Sequence, residues 1–309
     1  MNEDNVSVNS VKAWILAARP KTLSGAAVPV MIGTSLAARN GSDGNFHLLP
    51  AVLCFLFAFI MQIDSNFIND YFDCIKGTDD KETRLGPKRA CSEGWITLPA
   101  MRIGLIITTL LACVTGLPLI LYGGWEMIAV GACCVVFAFL YTTFFSYIGL
   151  GDILVLVFFG IVPVCVTYYV ILGGEVNDFP ITVFLLSVSC GLVIDTLLCI
   201  NNFRDRHNDA VAGKKTLIVR LGEKNGYKLY SVVGFSGALI TIATLCTISH
   251  WPNTCLIVIL LAVYCILHQI TFKKMCNIWE GRQLNKVLGM TARNMFIFGI
   301  VTSLAVLLS

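Results

Sequence analysis

The chain has 309 residues, of which 56% are hydrophobic and only 13% charged, and its formal net charge is +3. A soluble domain carries about 25% charged residues, so this chain lacks the polar surface to coat itself in water and must use lipid as solvent. Soluble, disordered, collagen-like and secreted disulfide-scaffold classes are excluded, and so small a net charge makes no case for a nucleic-acid partner.

A bilayer core of about 30 Å takes about 20 predominantly apolar residues as helix, because no backbone polar group goes unpaired in hydrocarbon. Residues 1–12 are polar, carry Glu3 and Asp4, and show neither a basic leader nor an Ala-x-Ala cleavage site. They are expected to stay as a polar N-terminal segment ahead of a single transmembrane domain over 13–309. Nine apolar runs follow, near 22–38, 48–69, 98–121, 125–145, 152–172, 180–200, 230–249, 252–272 and 289–308. The first is weak and marked by Gly and Pro. The spacing predicts an all-α polytopic membrane protein with nine transmembrane helices. Thirteen cysteines are scattered through the apolar runs without CxxC or Cys/His ligand spacing, which suits small packing residues rather than a metal cluster.

Short loops rich in Lys and Arg stay on the cytoplasmic side. With a cytoplasmic N-terminus, 21 of the 22 basic residues fall on that side and only Arg39 falls outside. Two cytoplasmic loops, 70–97 and 201–229, are long, charged and Gly-containing, and long patterned loops are usually functional. The first opens with Asn66 and Asn69-Asp70-Tyr71-Phe72-Asp73, followed by Lys76, Gly77 and Asp79; the second opens with Asn201-Asn202-Phe203-Arg204-Asp205 and reaches Asp209. Helical spacing puts Asn66 over Asp70, Asn69 over Asp73, and Asp205 one turn from Asp209. Both motifs therefore place carboxylates and amides on one face at the end of an apolar helix. They look like two copies of one device, although shifts of 132 and of 135 residues align them about equally well.

Clustered carboxylates repel unless a cation sits among them, and oxygen-only ligands select a hard ion such as Mg²⁺. Lys76, Lys81, Arg84, Lys88 and Arg89 follow the first motif, and Arg204, Arg206, Lys214 and Lys215 attend the second. Acids for metal together with bases for bare phosphate oxygens describe a diphosphate site. Asp70, Asp73, Asp205 and Asp209 are the expected metal-binding and catalytic residues, with Asn66, Asn69 and Asn201 as amide supports. Lys76, Asp79, Arg84, Arg89, Arg204 and Lys215 are expected substrate contacts, and Arg19 could bring a cation over the same site. Asp64 and Asp195 lie within the apolar runs, where an acid is costly and serves either support or chemistry. No residue stands out as a base for an acceptor.

With these motifs stand Arg19-Pro20-Lys21-Thr22-Leu23, Arg84-Leu85-Gly86-Pro87-Lys88-Arg89, Gly149-Leu150-Gly151-Asp152 and Ala212-Gly213-Lys214-Lys215-Thr216-Leu217. Together they resemble the UbiA superfamily of intramembrane prenyltransferases, most finely its 1,4-dihydroxy-2-naphthoate polyprenyltransferase branch of menaquinone biosynthesis. One departure is Ser92, where that branch leads one to expect Gln. The resemblance implies nine helices around a central cavity that binds a polyprenyl diphosphate on Mg²⁺. It also implies ionisation of the allylic C–O bond, capture by the aromatic ring of 1,4-dihydroxy-2-naphthoate, and loss of CO₂ to give demethylmenaquinone. The expected setting is a bacterial inner membrane with the site on its cytoplasmic side. Competing readings are another acceptor on the same fold (4-hydroxybenzoate, homogentisate or haem) and a transporter, since intramembrane acids occur there too.

Overall fold

The computed structural model describes residues 6–41, 45–77, 84–174, 176 and 179–309, and the helices account for its architecture. Ser10 caps the short α1 (Val11–Ala18) by accepting the Ala13 N–H at 3.3 Å. Arg19 ends that helix at φ 49°, a left-handed conformation that costs a non-glycine residue about 1 kcal/mol. The chain then makes one 3₁₀ turn, Pro20–Thr22, and continues as α2 (Leu23–Asn40).

After α2 come α3 (Leu48–Lys76), α4 (Leu98–Gly123), α5 (Glu126–Ile148), α6 (Gly151–Ile171) and α7 (Ile181–Val211). The short α8 (Leu217–Leu221) leads into α9 (Glu223–Ile248), α10 (Asn253–Ile278) and α11 (Leu284–Leu308). Among the described residues, eight helices are long and apolar enough to cross a membrane: α3 to α7 and α9 to α11. The protein is a multi-pass membrane protein.

The expected first span, 22–38, does fold as a helix but is not among those eight. Its sequence explains why. Gly25, Ala26, Pro29, Gly33 and Ser35 are buried where α2 packs on α6 and α11, so this helix trades lipophilic bulk for close packing. A second difference concerns the acidic motifs. Rather than opening loops, both lie on helix, because α3 continues to Lys76 and α7 to Val211.

The eight spans divide by what they face. For α7, 67% of its apolar window is buried, against 6% for α5, so α7 is the central post and α5 a lipid-facing wall. Lipid is as apolar as leucine, so helices in it associate through close packing of small residues. A Cβ on Gly160 would lie 2.6 Å from both the Gly191 Cα and the Ser187 carbonyl oxygen, which makes this crossing of α6 and α7 one of backbone on backbone. Gly160→Ala is therefore expected to lower the melting temperature and folded yield in detergent. Gly289→Ala, whose Cβ would meet open space, is expected to leave both unchanged.

The bundle has two distinct ends. At one, Arg39 donates to the Ile248 carbonyl at 3.4 Å and to the Ser309 backbone oxygen at 3.3 Å, while Asn253 donates to the Leu308 carbonyl at 2.8 Å. The C-terminal ends of α3 and α7 and the start of α11 gather at the other, and the acidic motifs are there.

Candidate active site

Continuous helix through both motifs fixes the direction of each side chain. On α3, Asp70 is fully buried; its Oδ2 accepts the Ala90 N–H at 3.1 Å and lies 3.8 Å from the Arg19 guanidinium. Its Oδ1 is buried with no hydrogen-bond partner among the described residues. One turn on, Asp73 lies 3.5 Å from the Arg89 guanidinium. Asn66 donates to the Ala18 carbonyl and to the Thr22 hydroxyl, both at 3.0 Å. It thus holds the strained turn that carries Arg19 over Asp70. Asn69 accepts a short hydrogen bond from the Thr142 hydroxyl of α5.

On α7, Arg204 is buried and closes on its neighbour: Nε donates to one Asp205 oxygen at 2.8 Å and Nη2 to the other. Its remaining nitrogen donates to the Asn285 side-chain oxygen at 2.8 Å, and Asn285 in turn donates to the Leu85 carbonyl at 2.8 Å. This chain of bonds ties α7, the start of α11 and the 84–97 loop together. Arg204 therefore positions Asp205 and supports the loop. Asp209 lies 3.8 Å from the Lys214 ammonium group.

The two motifs meet. Besides Arg89, cations that act on Asp73 of α3 are Lys214, Arg84, Arg19 and Lys76, and Lys214 follows the second motif. Asp209 of α7 feels Lys214 and Arg204 on one side and Asp205 and Asp73 on the other. Lys76 and Lys214 stand over the same Tyr147 ring, 4.6 and 5.3 Å from its centre. Burial pushes Arg84 down to about 10; Arg19 and Arg204 add repulsion, and Asp205 and Asp73 pull the other way. Burial likewise lowers Arg19 against the attraction of Asp70 and Asp73. At pH 7 Arg84 stays charged, held in place by its Nε bond to the Pro87 carbonyl at 2.7 Å.

Some expected contacts fall elsewhere. Asp79 and Lys81 lie outside the described residues. Lys215 is exposed and is tied through its backbone N–H to the Tyr147 carbonyl at 2.9 Å; the lysine that faces the acids is Lys214. This strand-like crossing explains the Gly149 motif: its φ is +79°, and a Cβ there would lie 2.2 Å from the Lys215 carbonyl oxygen. Ser92, the departure noted in the sequence, has a buried hydroxyl with no hydrogen-bond partner in the structure. Asp64 is support: it is fully buried and accepts hydrogen bonds from the Thr108 and Thr109 hydroxyls of α4. Asp195 has no such clamp. Tyr147, Thr142 and Asn285 were not singled out from sequence, and Lys214 was named only among the bases after the second motif, not among the expected substrate contacts. Lys214 had a visible signal in its Gly-Lys-Lys run, whereas Asn285 had none.

Behind the acids lies a cavity of about 650 Å³. Thr22, Asn66, Asn69 and Asn201 line its polar end, and Met61, Val130, Phe137, Phe158 and Leu198 belong to its apolar wall. α5 and α6 each depart from α-helical winding beside it, through π-turns at Tyr141–Phe145 and Leu156–Ile161. Such turns gather at functional sites. A water-poor apolar chamber with one charged end suits a long hydrocarbon carrying an anionic head.

The chain is similar to proteins of one family. The family model described as UbiA prenyltransferase family matches residues 26–280. A 1,4-dihydroxy-2-naphthoate octaprenyltransferase of Escherichia coli is 37% identical over 252 residues, covering 79% of this chain and 78% of the relative. UbiA prenyltransferase domain-containing protein 1 of Homo sapiens is 30% identical over 255 residues, covering 77% and 70%. A UbiA homologue from Archaeoglobus fulgidus, solved bound to DMAPP and Mg²⁺, superposes with TM-score 0.62 at 16% identity over 95% of this chain and 98% of that one. The apo structure of a homologue from Aeropyrum pernix gives TM-score 0.67 at 14% identity over 90% and 96%. With the family model spanning most of its length, the chain belongs to the UbiA prenyltransferase family.

Proposed function

We propose that this prenyltransferase moves a polyprenyl group from its diphosphate to 1,4-dihydroxy-2-naphthoate, with loss of diphosphate and CO₂. The observation that carries this reading is the meeting of Asp73 and Asp209, from helices far apart in sequence, around the shared cation Lys214 at the mouth of the apolar cavity. The naphthoate acceptor rests on the bacterial relative's name, and the prenyl diphosphate and Mg²⁺ on what the archaeal homologue holds.

The residues fit a hard divalent cation. Their donors are all carboxylate oxygen, and Asp70 keeps one buried oxygen with no partner among the described residues. Asp70, Asp73, Asp205 and Asp209 would hold Mg²⁺, which when bound neutralises negative charge on the leaving diphosphate. Arg19, Arg84, Arg89, Lys76 and Lys214 surround the same point and stabilise charge as the allylic C–O bond breaks. The walls of the cavity keep water from the allylic cation, and Asn66, Asn69 and Asn201 mark where head group gives way to tail. We further propose that α2 is the ninth span, that the domain runs from 13 to 309, and that the acidic end faces the cytoplasm of a bacterial inner membrane; the distribution of Lys and Arg supports that orientation.

The test is an assay of the purified protein in detergent with a polyprenyl diphosphate and, separately, each candidate aromatic acid. Prenylated, decarboxylated product from the naphthoate, with one diphosphate released per turnover, is the expected result. Preference for 4-hydroxybenzoate or homogentisate would overturn the acceptor, and substrate movement without diphosphate release would favour transport.

A further inference from the structure

Asp152, the second residue of α6, and Asp195, midway along α7, form a carboxyl pair that the proposed chemistry has not used. Oxygen atoms of both and the Cys199 sulfur all lie within 4.8 Å of one another. Asp195 is 4% exposed. Its Oδ2 accepts only a thiol bond from Cys199, at 3.6 Å, and Oδ1 of each aspartate is buried with no hydrogen-bond partner in the structure. The contrast with Asp64 is informative. A buried acid kept for support is clamped by hydroxyls, as Thr108 and Thr109 clamp Asp64; this pair is left with bare oxygens.

The surroundings point to what those oxygens receive. A small polar chamber lined by Asp152, Ser146, Asn202 and Thr216 adjoins the pair, and Tyr141 and Leu198 line both this chamber and the main cavity. The Tyr141 hydroxyl has no hydrogen-bond partner among the described residues, and it lies 3.8 Å from where a Gly151 Cβ would sit, next to Asp152. Four carboxylates act on it: Asp152 and Asp195 foremost, then Asp73 and Asp209. Tyr141 thus stands between the pair and the diphosphate end. The titratable groups facing the pair are Tyr141 from α5, Cys199 on α7 and, behind Cys199, Tyr230 of α9. No lysine, arginine or histidine acts on either acid among the described residues. With no cation beside them, a buried carboxylate this close to a half-buried one is relieved by one shared proton.

We propose that Asp152 and Asp195 are the proton acceptor of the reaction, taking the ring-hydroxyl proton of the aromatic acceptor through Tyr141 and later returning it. This rests on the prenyl-transfer reading. The ring O–H breaks and its proton passes to the pair, leaving an electron-rich oxyanion. The ring carbon bearing the carboxylate then uses its electron pair to form the C–C bond, as the allylic C–O bond gives its pair to diphosphate. The C–CO₂ bond breaks next, its electrons restore the aromatic oxyanion, and the held proton returns to that oxygen. No proton is gained or lost overall, so the pair needs no outlet to water.

The experiment uses the full-length protein in nanodiscs with Mg²⁺, polyprenyl diphosphate and the naphthoate, comparing wild type with Asp152→Asn, Asp152→Glu and Tyr141→Phe. Asp152→Asn and Tyr141→Phe are each expected to lower kcat roughly 100-fold with the KM for the diphosphate unchanged, and Asp152→Glu to recover part of the loss. An acceptor analogue with a more acidic ring hydroxyl should narrow the gap, because it needs the base less. Asp152→Asn activity within about threefold of wild type, or an equal loss for every acceptor, would overturn the proposal. An infrared C=O band of a protonated carboxyl, sensitive to D₂O and lost in Asp152→Asn, is expected with no substrate present; its absence also overturns the pair. Failure of the wild-type protein to prenylate any aromatic acid would instead overturn the prenyl-transfer reading, and the infrared result tells the two failures apart.

Discussion

Asp73→Asn is expected to lower prenyl-transfer turnover by roughly 10²–10³-fold while leaving the melting temperature almost unchanged, and Asp205→Asn to lower turnover as much but also to lower the melting temperature, because it leaves the buried Arg204 without its counter-charge. The reasoning is electrostatic. Asp73 lies among Arg89, Lys214, Arg84, Arg19 and Lys76, but the cost of burying its charge offsets their attraction, so removing that charge changes the stability of the fold little. It removes an oxygen ligand from the point where diphosphate charge must be stabilised as the C–O bond breaks. Asn keeps the shape and most of the hydrogen bonding, so the loss reads charge rather than packing. Turnover assayed over a Mg²⁺ titration, with thermal melts on the same samples, checks it. Near-normal activity in either variant at ordinary Mg²⁺ concentrations would remove that residue from the site.

Arg204→Met should behave in the opposite way, losing stability and activity together. Arg204 is the buried partner of Asp205 and, through Asn285, the link to the Leu85 carbonyl. Taking away one member of such a pair leaves an acid beside Asp209 and Asp73 without its nearest counter-charge, at a cost of about 3 kcal/mol. A second change, Asp205→Leu, removes the stranded charge. The double variant is expected to regain much of the melting temperature and none of the turnover. A double variant as unstable as Arg204→Met alone would show that the Asn285 link, not the ion pair, is what Arg204 supplies.

The acidic motifs were legible from sequence because carboxylates and amides at helical spacing are rare in so apolar a chain, and their pairing with basic residues named the diphosphate chemistry. Helix boundaries were less so. The polar faces of Asn66 to Lys76 and Asn201 to Val211 end the hydropathy signal while the backbone stays helical, so the motifs read as loops. The weak run at 22–38 has the opposite cause: α2 is poor in bulky residues because it packs against other helices. Among the cations, sequence named Lys214 and Lys215 together as bases and chose Lys215 as the contact, whereas folding brings Lys214 to the acids, since adjacent lysines in a turn differ only in direction. Asn285 was invisible, being a lone amide 200 residues from the carbonyl it holds. Asp64 and Asp195 looked alike as isolated acids in apolar runs. Only the fold separates them, by placing two threonines around one and another aspartate beside the other.

The claim on which everything else depends is that acids of α3 and α7 would together hold one diphosphate with its divalent cation. A double-mutant cycle on binding of a non-ionisable prenyl thiodiphosphate, measured by calorimetry with Mg²⁺ for Asp73→Asn, Asp205→Asn and the pair together, tests it most directly. A shared site predicts strong coupling of roughly 1–3 kcal/mol, with the double variant binding little worse than either single one. Losses that add to within about 0.5 kcal/mol, as two independent sites would give, would contradict it.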